Sequence, residues 1–319
     1  KGDGYGGYSY DRFVSRTRLM LDDSKADEAL RARSVDKRFD CLPALISNNP
    51  KWSVTRVETG LKSLEDSRVL KEKVIKKTSA GLLILAAGTD GRNQLTKMVT
   101  VMLTADKNDY EMNGITITGA CNTFATLVTQ DISVVQSLVK TQLAAAEAFA
   151  DADSAAPAEE KSSKEDLKAL INKMTCDILP TVVGTDVNAA LDLVQQMLLA
   201  STYAITRAGK GTKTQIVSKS CDVLPLIVAK DIPVASRLVQ ALLTGAVDDN
   251  DAKAAILKKV VSILTTMATN NAAEACSMLQ YIFSSVGDSI ELKTPVFKKT
   301  CEVLPMLIAG NLQSAYALI

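Results

Sequence analysis

Histidine is missing from this chain of 319 residues. Its absence removes Ser-His and Cys-His nucleophile pairs, imidazole proton shuttles and most types of zinc site together. Six cysteines are present, at 41, 121, 176, 221, 276 and 301, but none forms a CxxC pair, so a zinc site built from cysteine alone lacks its spacing. An excess of one charge is also missing. Lys plus Arg is 37 and Asp plus Glu is 36, a net +1, where a nucleic-acid binder would carry a basic excess or stripe. No apolar run reaches the roughly 18 to 20 residues that span a bilayer. With no singular cluster of catalytic side chains either, the composition points away from an enzyme.

What the chain has is repetition. The segment CDVLPLIVAKDIPVASRLVQALL from Cys221 is matched by CDILPTVVGTDVNAALDLVQQML from Cys176, and again from Cys301 and Cys121. Weaker copies start at Phe39, Ser79 and Val261, so the register position is filled by Phe39, Ser79, Cys121, Cys176, Cys221, Val261 and Cys301. The intervals are 40, 42, 55, 45, 40 and 40 residues, the period of a helical-repeat array. Length would otherwise suggest two domains, but an array grows by adding units.

Each unit reads as a helical hairpin. Three places after the register residue stands Leu42, Leu82, Leu179, Leu224, Leu264 or Leu304, with Phe124 once. Proline often follows (Pro43, Pro180, Pro225, Pro305), and is expected to kink the first helix or mark its last stretch. Asp131, Asp186, Asp231 or Asn311 then supplies an N-cap for the second helix. That helix carries apolar residues at spacings of three and four, as in Val234, Leu238, Val239, Leu242 and Leu243. The predicted fold is all-α: a HEAT-like α-solenoid of about seven hairpins of about 40 residues over 39–319.

Two segments fall outside the rhythm. Residues 1–38 open with GYGGYSYDRF, in which Tyr5, Tyr8, Tyr10 and Phe13 are interleaved with Arg12, and Arg16 and Arg18 follow. This reads as an extended arm bearing residue types that anchor interfaces, or else as a disordered tail. The stretch DADSAAPAEEKSSKE at 151–165 is small, polar and acidic, and reads as a solvated loop between the third and fourth units.

The cysteines admit three readings. Successive helical layers lie about 8 to 10 Å apart, beyond the Cα separation of about 7 Å that a disulfide tolerates. Cys121, Cys176, Cys221 and Cys301 share the register slot and are therefore expected as free thiols. They serve either as small core residues, as Ser79 and Val261 do in the same slot, or as anchors for a prosthetic group. For the second role, Asp177, Asp222 and Glu302 follow three of them, and Lys173, Lys219, Lys298 and Lys299 precede them. An extended cofactor with protonated nitrogens and carboxylate arms would use that combination. The plain alternative is an ordinary solvated helix face.

Cys-bearing helical units repeated along a chain of this length, together with a GYGGYSYDRF-type arm, resemble the γ subunits of red-algal phycoerythrin. These are linker chromoproteins of the phycobilisome rod, and the likeness covers most of the chain. The resemblance implies a light-harvesting linker without enzymatic activity, lodged in the cavity of a phycoerythrin hexamer. Its partners would be the α and β subunits and, through the arm, neighbouring discs, on the stromal face of the thylakoid in the chloroplast. It also implies thioether-linked phycourobilin or phycoerythrobilin. The attachment residues implied are Cys121, Cys176, Cys221 and Cys301, with Cys276 and Cys41 as weaker ones, and Asp177, Asp222 and Glu302 as partners of the pyrrole nitrogens. A HEAT-like adaptor without cofactor, gripping a partner on its concave face, is the competing expectation. A bilin-attaching enzyme is the third, disfavoured by the missing histidine.

Overall fold

The computed structural model describes residues 28–105, 107–149, 163–201, 212–247 and 249–318. The aromatic arm from Tyr5 to Arg18 and most of the acidic stretch lie outside them. Among the described residues the chain is all-α, without a strand.

The chain divides into two compact units, Lys1–Thr126 and Leu127–Ile319. The first holds α1 (Glu28–Phe39), α2 (Leu42–Asn48), α3 (Pro50–Lys62), α4 (Arg68–Ala87), α5 (Thr89–Ala105) and α6 (Tyr110–Cys121). Alternate helices pack together: α2 on α4 and α4 on α6 in one layer, α3 on α5 in the other. The boundary between units falls within α7 (Phe124–Gln130).

The second unit repeats the scheme. It contains α8 (Ile132–Glu147), α9 (Ser163–Thr185), α10 (Val187–Ala200), α11 (Thr212–Val228), α12 (Ile232–Gly245), α13 (Asn250–Asn270), α14 (Ala272–Ser285), α15 (Ile290–Gly310) and the short α16 (Leu312–Tyr316). Helices α9, α11, α13 and α15 form one layer, and α8, α10, α12, α14 and α16 the other. Each register residue sits on a helix of the first layer of its unit.

Local chemistry explains why the helices start where they do. Asp186, Asp231 and Asn311 each accept a hydrogen bond from a backbone N–H of the helix they open, as the sequence predicts. Asn49 and Asn271 occupy the same place in their units and cap α3 and α14 in the same way. Asp131 does not cap: its carboxylate instead accepts from the Ser133 hydroxyl at 2.6 Å.

The prolines act differently from one unit to the next. Pro180, Pro225 and Pro305 lie inside continuous helices, each removing only the one bond its missing N–H would make. Pro43 sits in the first turn of α2, after a break at Asp40 and Cys41. A second break, at Asn122 and Thr123, separates α6 from α7 without any proline.

The expected extended arm must be shortened. Residues 28–38 belong to α1, not to an arm, because Val35 and Phe39, 1% and 4% exposed, anchor one face of that helix. The half-buried ion pair of Arg31 with Asp66, at 2.8 Å, fixes the same helix. The helix was hard to read because only two apolar side chains mark its face. At the other interruption, residues 163–165 of the expected acidic loop already form the first turn of α9.

Candidate functional site

Two observations show which way the register position points. A Cβ placed on Gly119 would lie 2.8 Å from the Cβ of Ser79, so α6 presses directly on the register residue of α4. A Cβ on Gly81 would likewise meet the Ile46 side chain at 2.6 Å, placing α4 against α2 seven places beyond Phe39. Within a unit, therefore, the register residue and the residue seven places later face the next helix of the layer. Cys176 also reaches the second layer, with its Sγ 4.0 Å from Met197 Sδ on α10.

That placement decides the fate of the thiols. Cys121, Cys176 and Cys221 are 3%, 4% and 2% exposed. Burial pushes the Cys176 and Cys221 thiols up to about 12, with Asp177 adding to the rise at Cys176 and Lys259 opposing it at Cys221. Cys121 is pushed higher still by burial alone. Since the thiolate is the nucleophile, these sulfurs are inert at neutral pH in this packing. Cys276, on α14 in the second layer, is buried as well, and its thiol is also raised by burial. Cys41 and Cys301 are exposed. All six cysteines are free, the four register thiols among them as the layer spacing predicts.

The two exposed thiols share a cause. Cys301 occupies the register slot of α15, and no described helix packs over that side of it. Cys41, two places past the register, lies on the opposite side of the first described pair, and no described helix packs there. Its Sγ donates to the Arg38 carbonyl at 3.1 Å.

The acidic neighbours point away from the seam. Asp177 and Asp222 are exposed and pair with lysines of the next helix in the layer: Lys219 at 4.0 Å and Lys259 at 3.1 Å. Both lysines stand two places before the next register residue. The same geometry appears in the first unit, where Asp40 meets Lys77 at 2.5 Å. This rung, an acid one place after the register and a lysine two places before the next, escaped the sequence reading, although its spacing is legible once the units are aligned. Glu302 has no following helix and turns back to Lys299 on its own, at 2.9 Å, which lowers its pKa. Of the other expected basic groups, Lys173 and Lys298 form no such rung.

A bilin fits some of these positions and not others. At Cys121, Cys176 and Cys221 the sulfur faces packed helix, and the carboxylates expected to meet pyrrole nitrogens stand outside the seam in ion pairs. At Cys301 an accessible thiol lies beside Glu302 and a run of exposed apolar side chains, and at Cys41 the thiol is also accessible. Among the described residues no group of three or more potential ligands is placed to hold a metal ion, and no helix is long and apolar enough to cross a membrane. No protein-family model matches the chain, and no curated protein sequence matches it.

Proposed function

We propose that the chain is a non-catalytic, HEAT-like linker of stacked helix pairs, of the kind the phycoerythrin γ resemblance implies, carrying bilin on accessible thiols. The observation that supports this reading is the single register running down both units and leaving a free, exposed cysteine only at the first and last pairs, Cys41 and Cys301. In this proposal Cys121, Cys176, Cys221 and Cys276 are core residues, and the pigment sites are Cys301 and Cys41. A bound tetrapyrrole would supply light absorption. The chain's own contribution is packed helix pairs that hold each pigment within its own unit, and surfaces for phycoerythrin α and β subunits. The absence of histidine and the inert buried thiols suit a protein that performs no chemistry.

The experiment is a denaturing gel of protein from its native source, read for visible colour and zinc-enhanced fluorescence. A coloured band that Cys41→Ser and Cys301→Ser together abolish is the expected result. Colour that survives in this double variant would move the pigment to the buried thiols. A colourless native band would overturn the chromoprotein reading. It would favour the second one, a cofactor-free adaptor, for which the burial of four of the six cysteines is the specific support.

A further inference from the structure

One seam inside the second unit breaks the pattern of the others. Four places before the register, one turn away on the same face, stand Val35, Ile75, Ile117, Val217 and Leu257, each no more than 1% exposed. On α9 that place holds Asn172, fully buried and on the side that faces α11. Its Nδ2 donates to the Ser201 Oγ at 2.8 Å, and its Oδ1 has no hydrogen-bond partner among the described residues.

The facing side of α11 departs from the pattern too. Two places before the register lies the residue that meets the preceding helix: Gly119 against Ser79, and Lys219 against Asp177. Seven places earlier, two turns back on that face, are Leu70, Met112, Leu167, Ala252 and Leu292, all buried. On α11 this place is Thr212, fully buried, with its Oγ1 also unpartnered among the described residues. In the next two seams the same two places hold Val217 and Ala252, then Leu257 and Leu292. Between α9 and α11 both are polar.

The contacts around this seam determine how it gives. On its other flank α9 is clamped to α8 by Lys168, 2% exposed, whose ammonium lies 2.6 Å from Glu147 and 3.1 Å from Glu165; Lys164 also bonds Glu147. At the hairpin turns the seam with the next pair is tied, Lys230 donating to the Gly184 carbonyl at 2.6 Å and Arg237 to the Asn188 Oδ1 at 3.0 Å. Its charged rung, Asp177–Lys219, spans 4.0 Å against 3.1 Å for Asp222–Lys259, and an exposed pair that long adds little. Towards the start of the two helices, an amide oxygen and a hydroxyl leave water without a protein partner in exchange. That weakens the burial there, where valine and leucine strengthen it in the neighbouring seams.

We infer that the seam between α9 and α11 is a built-in opening. The first turns of α11 part from α9 by local unfolding, hinged at the tied turn end, as a minor state of the native protein. Cys176 stands one turn from Asn172 on the same face, so this opening is what uncovers it, while Cys221 stays covered by α13. The inference is independent of pigment and holds for a linker and for an adaptor alike.

The test is hydrogen exchange of the full chain, read by mass spectrometry segment by segment, with urea unfolding beside it. In the wild type the first turns of α11 are expected to exchange about tenfold faster than those of α13, as a local opening allows. Asn172→Leu with Thr212→Val gives this seam the apolar pair its neighbours have. That variant is expected to slow exchange at the start of α11 about tenfold, leave α13 and α15 unchanged and raise the urea midpoint. The reverse change, Val217→Asn with Ala252→Thr, is expected to move the fast-exchanging segment to the start of α13. A wild-type α11 as well protected at its start as α13 would overturn the inference. So would an apolar variant that exchanges faster or unfolds at lower urea, since the two polar groups would then be holding the seam together.

Discussion

Cys221 and Cys301 carry the same local sequence, a cysteine followed by an acid, a valine, a leucine and a proline, yet differ in every property that matters chemically. Cys221 is 2% exposed with its thiol raised to about 12, while Cys301 is exposed. The difference comes from the next helix of the layer, which packs over Cys221, whereas no described helix packs over Cys301. Native protein treated with a maleimide should therefore label quickly at Cys41 and Cys301, while Cys121, Cys176, Cys221 and Cys276 label only on unfolding. Peptide mapping by mass spectrometry reads this directly, and fast labelling at Cys176 or Cys221 would contradict the packed seam. Substitution should separate the two classes as well. Cys221→Ser buries a hydroxyl in an apolar seam where the neighbouring Ser220 hydroxyl already lacks a partner. It should cost about 1 to 3 kcal/mol in urea unfolding, whereas Cys301→Ser should stay within about 0.5 kcal/mol.

At the scale of the helix, the caps separate what is legible in the sequence from what is not. Asp186, Asp231 and Asn311 were readable as N-caps because a short polar side chain stands before an apolar-periodic run, and they act as such. Asp131 looks the same in sequence but spends its carboxylate on the Ser133 hydroxyl. Asp231→Ala should accordingly destabilise by about 1 kcal/mol, the usual cost of losing a cap. Asp131→Ala should cost clearly less, and equal losses in thermal unfolding would show that the Ser133 contact is worth as much as a cap. The helix pairs were legible from the spacing of leucines and cap residues. Helix α1 was not, since Val35 and Phe39 give too sparse a stripe, and the break after Cys121 has no glycine or proline to announce it. The state of the thiols was not legible either. Accessibility depends on which neighbouring helix is present, and a register position carries the same residues whether it is covered or open.

For the molecule as a whole, the missing histidine sets the response to pH. There is no imidazole to titrate near neutrality, so stability should change little between about pH 6 and 8, and the flanks should be governed by shifted groups. On the acid side, Asp36 is held below its usual 3.8 by hydrogen bonds from Lys73 and Lys77. Glu147 is held below 4.5 by Lys164 and then by the buried Lys168, whose ammonium lies 2.6 Å away. A depressed carboxylate stabilises the fold above its unfolded value and loses that contribution as pH falls through the folded one, so stability should decline below about pH 4.5. On the alkaline side the sign is set by thiols. Cys176 and Cys221 stay neutral in the fold to about 12, against an ordinary 9.0. Their contribution is complete below pH 9 and is lost as pH rises from about 9 towards 12, because the unfolded chain ionises first. The raised ammonium of Lys168, whose desolvation is outweighed by Glu147 and Glu165, acts in the same direction but only above its usual 10.5. Urea unfolding at about pH 8.5 and about pH 10 thus isolates the thiols. The wild type should lose stability across that interval, and a Cys176→Ala, Cys221→Ala variant should lose distinctly less. Equal slopes in the two proteins would mean that these sulfurs are already ionisable in the folded state, and so are not sealed in the seam between helices.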